Sequence, residues 1–212
     1  CLESFEYICK HTAVGFWQEE NYPEYLKHCL STIQMLNKEA LKTHGIRFNT
    51  EFVPAENLGV KNAKWDKEDG LWAPRDCYNS YFYPVESDKW NILDKIKIHG
   101  QDVSQYLDGG AALHLNIQRT PTKAEAVNLI NTNIHHGVPY WTTNVLCTVC
   151  KSCGHINPNY YKTCPQCDSI YVDYGTRVIG YLKLISSFSA GRQQEAAHRA
   201  YNNTGGIKNV SD

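Results

Sequence analysis

Residues 147–170 read CTVCKSCGHINPNYYKTCPQCDSI, and this stretch constrains the chain more than any other. It holds Cys150-x-x-Cys153 and Cys164-x-x-Cys167, with ten residues between the pairs. Each pair can turn two thiolates toward one ion from a tight knuckle, and two knuckles complete a tetrahedron. Gly154 and Pro165 suit the sharp turns that such knuckles need. Soft thiolates select zinc or iron over magnesium or calcium, and zinc is the default for a closed four-sulfur site. So short and polar a segment must then fold as a module stapled by its metal, with Cys150, Cys153, Cys164 and Cys167 as ligands. The alternative is four unrelated thiols.

Cys147, three residues before Cys150, can form a competing pair with it. Cys150 is the preferred ligand because its partner Cys153 is followed by glycine, as in a rubredoxin-type knuckle, which leaves Cys147 as a spare thiol. His155 is a weaker candidate ligand. The chain has nine cysteines in 212 residues, too large and too ordinary a chain for a disulfide scaffold, so the spacing points to metal and a reducing, cytoplasmic compartment. A formal net charge of −1, with Lys and Arg scattered, argues against nucleic-acid or acidic-membrane partners. No apolar run approaches the roughly 20 residues of a membrane span, and no signal-peptide pattern opens the chain. Because residue 1 is Cys rather than Met, the expectation is a processed chain, a subunit fragment or an excised piece.

Along the chain, helical spacing predicts one helix over residues 2–20. A second is predicted over 22–41 on the stripe Tyr22, Leu26, Cys29, Ile33, Leu36 and Ala40, ended by Gly45. Ile46, Phe48, Thr50 and Phe52 alternate with polar residues and predict a half-buried strand. Residues 57–80 read as loop, 92–98 as a strand, and Ala111–Ile117 as another. Thr122-Lys-Ala-Glu125 is a capping box opening a helix that Gly137 closes, with His135 and His136 in its last turn. A strand follows over 139–146. Arg177–Leu184 reads as a strand or extended loop, Ser189 as the cap of a last helix, and 202–212 as a loosely held tail. Helices and strands alternate, so the expected class is mixed α/β.

Four further stretches carry a resemblance. YGTRVIGYL at 174–182, after the two CxxC pairs and before GRQQEAAHRAYN, resembles the C-terminus of the anaerobic (class III) ribonucleotide reductases. FVPAENLGVKNAKWD at 52–66 resembles that family's Pro-Ala-Glu segment. NSYFYPVE at 79–86 and DGGAALHLN at 108–116 look like its Asn-Ser stretch and its Gly-Gly strand. The resemblance covers most of the chain from about residue 50 onward and implies that Gly180 carries a glycyl radical. Glycine suits that role, because a radical at Cα is delocalised over the flanking amides in a plane that a Cβ would crowd. A plain structural glycine, permitting a bulge, is the alternative.

The resemblance implies the C-terminal half of a ten-stranded α/β barrel, of the glycyl radical enzyme type, with a zinc-ribbon-like module and a C-terminal radical loop. The divisions are a half-barrel portion at 1–146, a zinc module at 147–170, and the radical loop, short helix and tail at 171–212. It implies an oxidoreductase that makes deoxyribonucleotides for DNA replication from ribonucleoside triphosphates. The radical is installed by a partner activase using S-adenosylmethionine and an iron–sulfur cluster, and it passes from Gly180 to a cysteine that attacks the ribose. That cysteine lies, in the family, in an N-terminal portion; Cys77 is the one cysteine here near a family-like active-site stretch. Glu56, Asn79 and Ser80 fall in stretches that face the substrate, while His114 and Asn116 read as structural. The assembled enzyme is expected to be a homodimer, and this chain alone incomplete. Two other readings stay open: a small glycyl-radical spare-part subunit, and a zinc-ribbon binding module without radical chemistry.

Overall fold

A computed structural model of the chain describes residues 22–52, 58–73, 75–78, 81, 83, 85–177 and 181–204. The helix expected over 2–20 lies outside them. Helix α1 (Tyr22–His44) carries Glu24 in its first turn and Lys42 and His44 in its last, each opposite the sign of the local helix dipole. Pro23 sits in the first turn, where its missing N–H leaves no bond unmade. Gly45, at φ +67, ends the helix in the left-handed region. Leu26 and Leu30 are buried, but Met35, Leu36 and Leu41 are exposed, so the expected stripe meets the core only along its N-terminal half. The predicted strand contracts to β1 (Glu51–Phe52), and Ile46 and Phe48 face outward.

Two segments differ from expectation. Within 57–80 lies helix α2 (Leu58–Glu68), whose buried positions are Gly59, Asn62, Ala63 and Asp66. That is helical spacing written in small and polar residues. The Tyr78 hydroxyl donates to Asp66 at 2.5 Å, and a Cβ at Gly59 would collide with the Tyr78 carbonyl. Residues 92–98 are not a strand: helix α3 (Ile92–Lys97) starts at a capping box of Asn91 and Asp94 and buries Ile92, Lys95 and Ile96. It widens into a π-helical turn (Ile98–Val103), then a 3₁₀ turn (Ser104–Tyr106). At Gly100 the wide turn runs against the His136 carbonyl, which leaves no room for a Cβ.

Strand β2 (Gly110–Ala111) pairs in parallel with β1. Strand β3 (Leu113–Asn116) pairs in parallel with β4 (Trp141–Asn144), in register from Leu113 opposite Trp141 to Asn116 opposite Asn144. Parallel partners need a crossover, and helix α4 (Lys123–His135) provides it. Its capping box of Thr122 and Glu125 forms as expected, and Gly137, at φ +69, follows its end. All four β3 residues are buried, and the core gathers Leu113, Leu115, Ile117 and Leu129 with Leu26, Leu30, Ile92 and Ile96.

The remaining strands form one four-stranded antiparallel sheet in the order β6-β5-β7-β8: β5 (Cys147–Cys150), β6 (Ile156–Asn157), β7 (Val172–Arg177) and β8 (Leu182–Leu184). Helix α5 (Ala190–His198) has Ser189 at its N-cap position, without a side-chain bond to the helix. The tail is held further than expected. Asn202 accepts from the buried Lys95 Nζ at 2.5 Å and donates its amide to the Trp90 carbonyl, and the Thr204 hydroxyl reaches Glu125. Residues 205–212 lie outside the described set. Among the described residues, no helix is long and apolar enough to cross a membrane.

Candidate functional site

Two knuckles face each other at one end of the antiparallel sheet. In the first, the amides of Ser152 and Cys153 point at Cys150 Sγ at 3.4 and 3.5 Å, and Gly154 N donates to the Cys150 carbonyl. In the second, Gln166 N points at Cys164 Sγ at 3.4 Å, and Asp168 N donates to the Cys164 carbonyl. The residue after each pair turns left-handed, Gly154 at φ +75 and Asp168 at φ 54. Glycine and aspartate are among the residues that tolerate this region best. Ser152 Oγ and Ser169 Oγ, 2.8 Å apart, tie the knuckles together.

The four thiols lie within 4.8 Å of one another, with Cys150–Cys167 and Cys153–Cys164 each at 3.7 Å. Thiolates bound about 2.3 Å from a tetrahedral zinc stand about 3.8 Å apart, so these residues fit the ion. Without an ion the four thiols do not ionise alike. The Cys153 and Ser152 amides pull the Cys150 thiol down to about 6. The Ser169 amide favours the Cys167 thiolate, but the Cys153 thiol, desolvation and the other two thiols outweigh it and push that group up to about 12. Four thiolates at this range require a cation between them. The cluster can bind a metal such as zinc, whose chemistry there would be structural: it would close the module and hold β5 and β6 to the second knuckle. Cys147 is outside the group; its Sγ lies 3.4 Å from the Gly175 carbonyl on β7. His155 is outside it as well.

Strand β7 runs from this centre toward residue 180. Arg177, its last residue, pairs with Leu182 of β8, so the two strands bracket Gly180, which lies outside the described residues. So do Glu56, Asn79 and Ser80. Cys77 is described and fully buried, its Sγ 3.1 Å from the Tyr78 carbonyl and close under Gly59 of α2. Helix α5 closes over the same segment through Gln194 and Arg192, which bond Asp76 and Tyr78. Cys77 is therefore held as a core thiol.

A buried polar network closes the end of β7. Asn144 Oδ1 accepts from Arg177 N at 2.9 Å and from Thr176 Oγ1 at 3.2 Å, and its Nδ2 donates to Asn116 Oδ1 at 2.7 Å. Arg199 donates from Nη1 to the Arg177 carbonyl at 2.6 Å and grips Glu195 bidentately at 2.8 and 2.7 Å. No local pattern announces this network, because its members come from four separate elements. His114 lies beside it; burial, then the charges of Arg177 and Arg199, press its imidazole down to about 4, keeping it neutral.

The fold and site thus define a mixed α/β chain with a four-thiol cluster able to hold a metal, beside a polar junction. The family model described as anaerobic ribonucleoside-triphosphate reductase matches residues 3–201, and the chain belongs to that family. A solved anaerobic ribonucleotide reductase is similar at 29% identity and TM-score 0.71 over 87% of this chain and 29% of its own. The Thermotoga maritima anaerobic ribonucleotide reductase in complex with dATP and CTP is similar at 30% identity and TM-score 0.65, covering 83% of this chain and 28% of that one. The same enzyme with glycerol in the active site gives 28% identity and TM-score 0.64. The chain therefore spans under a third of the length of these structures. No curated protein matches.

Proposed function

We propose that this chain is the C-terminal, glycyl-radical-bearing portion of an anaerobic ribonucleotide reductase that converts ribonucleoside triphosphates to deoxyribonucleoside triphosphates. The observation that carries this reading is a family match running to residue 201, and so across Gly180, in a chain whose β7 and β8 bracket that residue beside the four-thiol sheet. The parallel pairs β1–β2 and β3–β4 belong, on this reading, to the second half of a ten-stranded barrel within 1–146. The zinc module at 147–170 fastens the segment 171–212 that delivers the radical.

Gly180 stores the radical, and Glu56, Asn79 and Ser80 face the substrate. The burial of Cys77 favours a core thiol over the radical-accepting cysteine, which belongs to the N-terminal portion of the enzyme. A radical S-adenosylmethionine activase removes the Gly180 hydrogen, and the assembled enzyme is a homodimer working in the cytoplasm. The nucleotide complex of a similar structure supports the substrate class.

The test is oxygen. The chain is assembled with the N-terminal portion, activated anaerobically, and examined by electron paramagnetic resonance before exposure to air. A glycine-centred doublet and cleavage at residue 180, releasing a fragment of residues 181–212 by mass spectrometry, are expected. Gly180→Ala gives neither. An activated assembly with no doublet and no cleavage overturns the reading, as does nucleotide reduction by the isolated chain.

A further inference from the structure

Antiparallel pairing between β5 and β7 stops at Cys147 opposite Gly175, while β7 continues two residues further, through Thr176 to Arg177. Beyond that point β8 lies on one side of β7, and side chains stand in for a strand on the other. Asn144 Oδ1 takes the Arg177 N–H at 2.9 Å, and Arg199 Nη1 bonds the Arg177 carbonyl at 2.6 Å. Both backbone polar groups of Arg177 are gripped by residues outside the sheet.

We propose that Asn144, seconded by Arg199, is a positioning residue for Gly180: Asn144 ties the backbone of Arg177, three residues upstream, to the buried β3–β4 pair, and Arg199 ties it to the end of α5. This inference rests on the reading of Gly180 as the radical residue. Each clamp is itself oriented. The Asn144 amide is set by its register partner Asn116 at 2.7 Å, and Asn116 Nδ2 reaches the Tyr81 hydroxyl at 3.3 Å. Arg199 is set by its two bonds to Glu195 and lies over the Tyr81 ring, 5.5 Å from its centroid. Asn144, Asn116, Thr176 and Glu195 are all at or below 1% exposure.

Stability alone does not call for such a network. Buried ion pairs can often be replaced by apolar side chains of similar volume at little or no loss. Apolar side chains, however, cannot hold the N–H and C=O of a strand end in one place. Hydrogen-atom transfer requires that placement: reacting atoms must approach to about 3–3.5 Å, and a 1 Å misplacement can cost about 100-fold.

The test uses the assembled reductase with its activase, S-adenosylmethionine and reductant under anaerobic conditions, reading radical spins per zinc-loaded chain and nucleotide turnover per spin. For Asn144→Ala, zinc per chain stays the same while the product of radical yield and turnover per spin falls at least roughly tenfold, within the misplacement penalty. Asn144→Asp restores it to within about twofold, because a carboxylate keeps the acceptor for Arg177 N–H and Asn116 can turn its amide to donate. A wild-type doublet with an Asn144→Ala enzyme equal in spins and turnover overturns this inference alone. A wild-type assembly without a doublet overturns the Gly180 reading and the inference with it. Should Asn144→Ala fail to retain zinc, Thr176→Val decides. It removes the hydroxyl donor to Asn144, and a loss of a few-fold is expected, whereas an unchanged enzyme overturns the proposal.

Discussion

The β3–β4 pair and the β6-β5-β7-β8 sheet meet at Asn144, yet they are built on opposite principles. On one face of β3 the interior is apolar: Leu113, Leu115, Ile117 and Leu129 are at or below 1% exposure. The metal module keeps its large apolar residues outside, with Ile156, Ile170 and Tyr171 at 63%, 71% and 70% exposure. Its interior is sulfur and short polar side chains: Cys150, Cys164 and the Thr148 hydroxyl, which donates to the Asn159 carbonyl and accepts from Tyr161 N. The first region is stable because water is excluded from hydrocarbon. The second has almost no hydrocarbon to exclude, and its order comes from knuckle hydrogen bonds and from the cation its four thiols can hold.

Metal removal should break the comparison open. Structural zinc in small modules contributes on the order of 10–16 kcal/mol of apparent binding free energy, all of it available to folding. A strong chelator is expected to abolish hydrogen-exchange protection at Val149, Cys150 and Cys164 while the β3 amides of Leu113–Asn116 keep theirs. Exchange followed by mass spectrometry reads both at once. Simultaneous loss in the two regions would show one cooperative unit and refute the contrast.

Truncation tests the same contrast from the apolar side. Leu115→Ala removes a fully buried side chain from the β3 core and should cost about 2–5 kcal/mol, cavity included. Ile170→Ala, in the metal module, should stay within about 0.5 kcal/mol of the parent. Urea midpoints with zinc in excess measure both. A large loss at Ile170 would mean that the exposed apolar residues of the module do carry its stability.

The contrast also explains what could be read from residues alone. Features whose physics is local were legible: the two CxxC pairs, the Thr122–Glu125 capping box, and the glycines at 45 and 137 that end helices at positive φ. Helix α2 was missed because its buried face is Gly59, Asn62, Ala63 and Asp66, a helical period with no hydrophobicity to reveal it. Helix α3 falls where a strand was expected over 92–98, and its buried face mixes Lys95 with Ile92 and Ile96. The signal that could have corrected this was Asn91-x-x-Asp94, the same box that announced α4. The Asn144 network was illegible for a different reason. Its partners lie 28 to 33 positions away in sequence and become neighbours only when β3, β4 and β7 are in register.

The smallest expected effect lies at the seam between the regions. Residues 119–125 touch both: Thr120 N donates to Asn159 Oδ1 at 2.9 Å in the module, and Arg119 pairs with Glu125 at 2.7 Å at the start of α4. Arg119, then the Thr122 backbone amide, hold the Glu125 carboxyl down to about 2, from its ordinary 4.5. A carboxyl depressed in the folded state stabilises it fully above the unfolded value, and that contribution is lost as pH falls from about 4.5 toward 2. Thr122→Ala removes the cap and should cost about 1 kcal/mol near neutral pH. Glu125→Gln should destabilise at pH 6 and converge on the parent near pH 2 to 3, because the parent carboxyl is by then protonated in the unfolded chain and becoming so in the folded one. Urea midpoints across this range, with zinc stoichiometry at pH 6, separate the outcomes. If either substitution lowers zinc content at pH 6, the seam is a strut of the metal module; if neither does, the two regions are joined by contacts too weak to make them one.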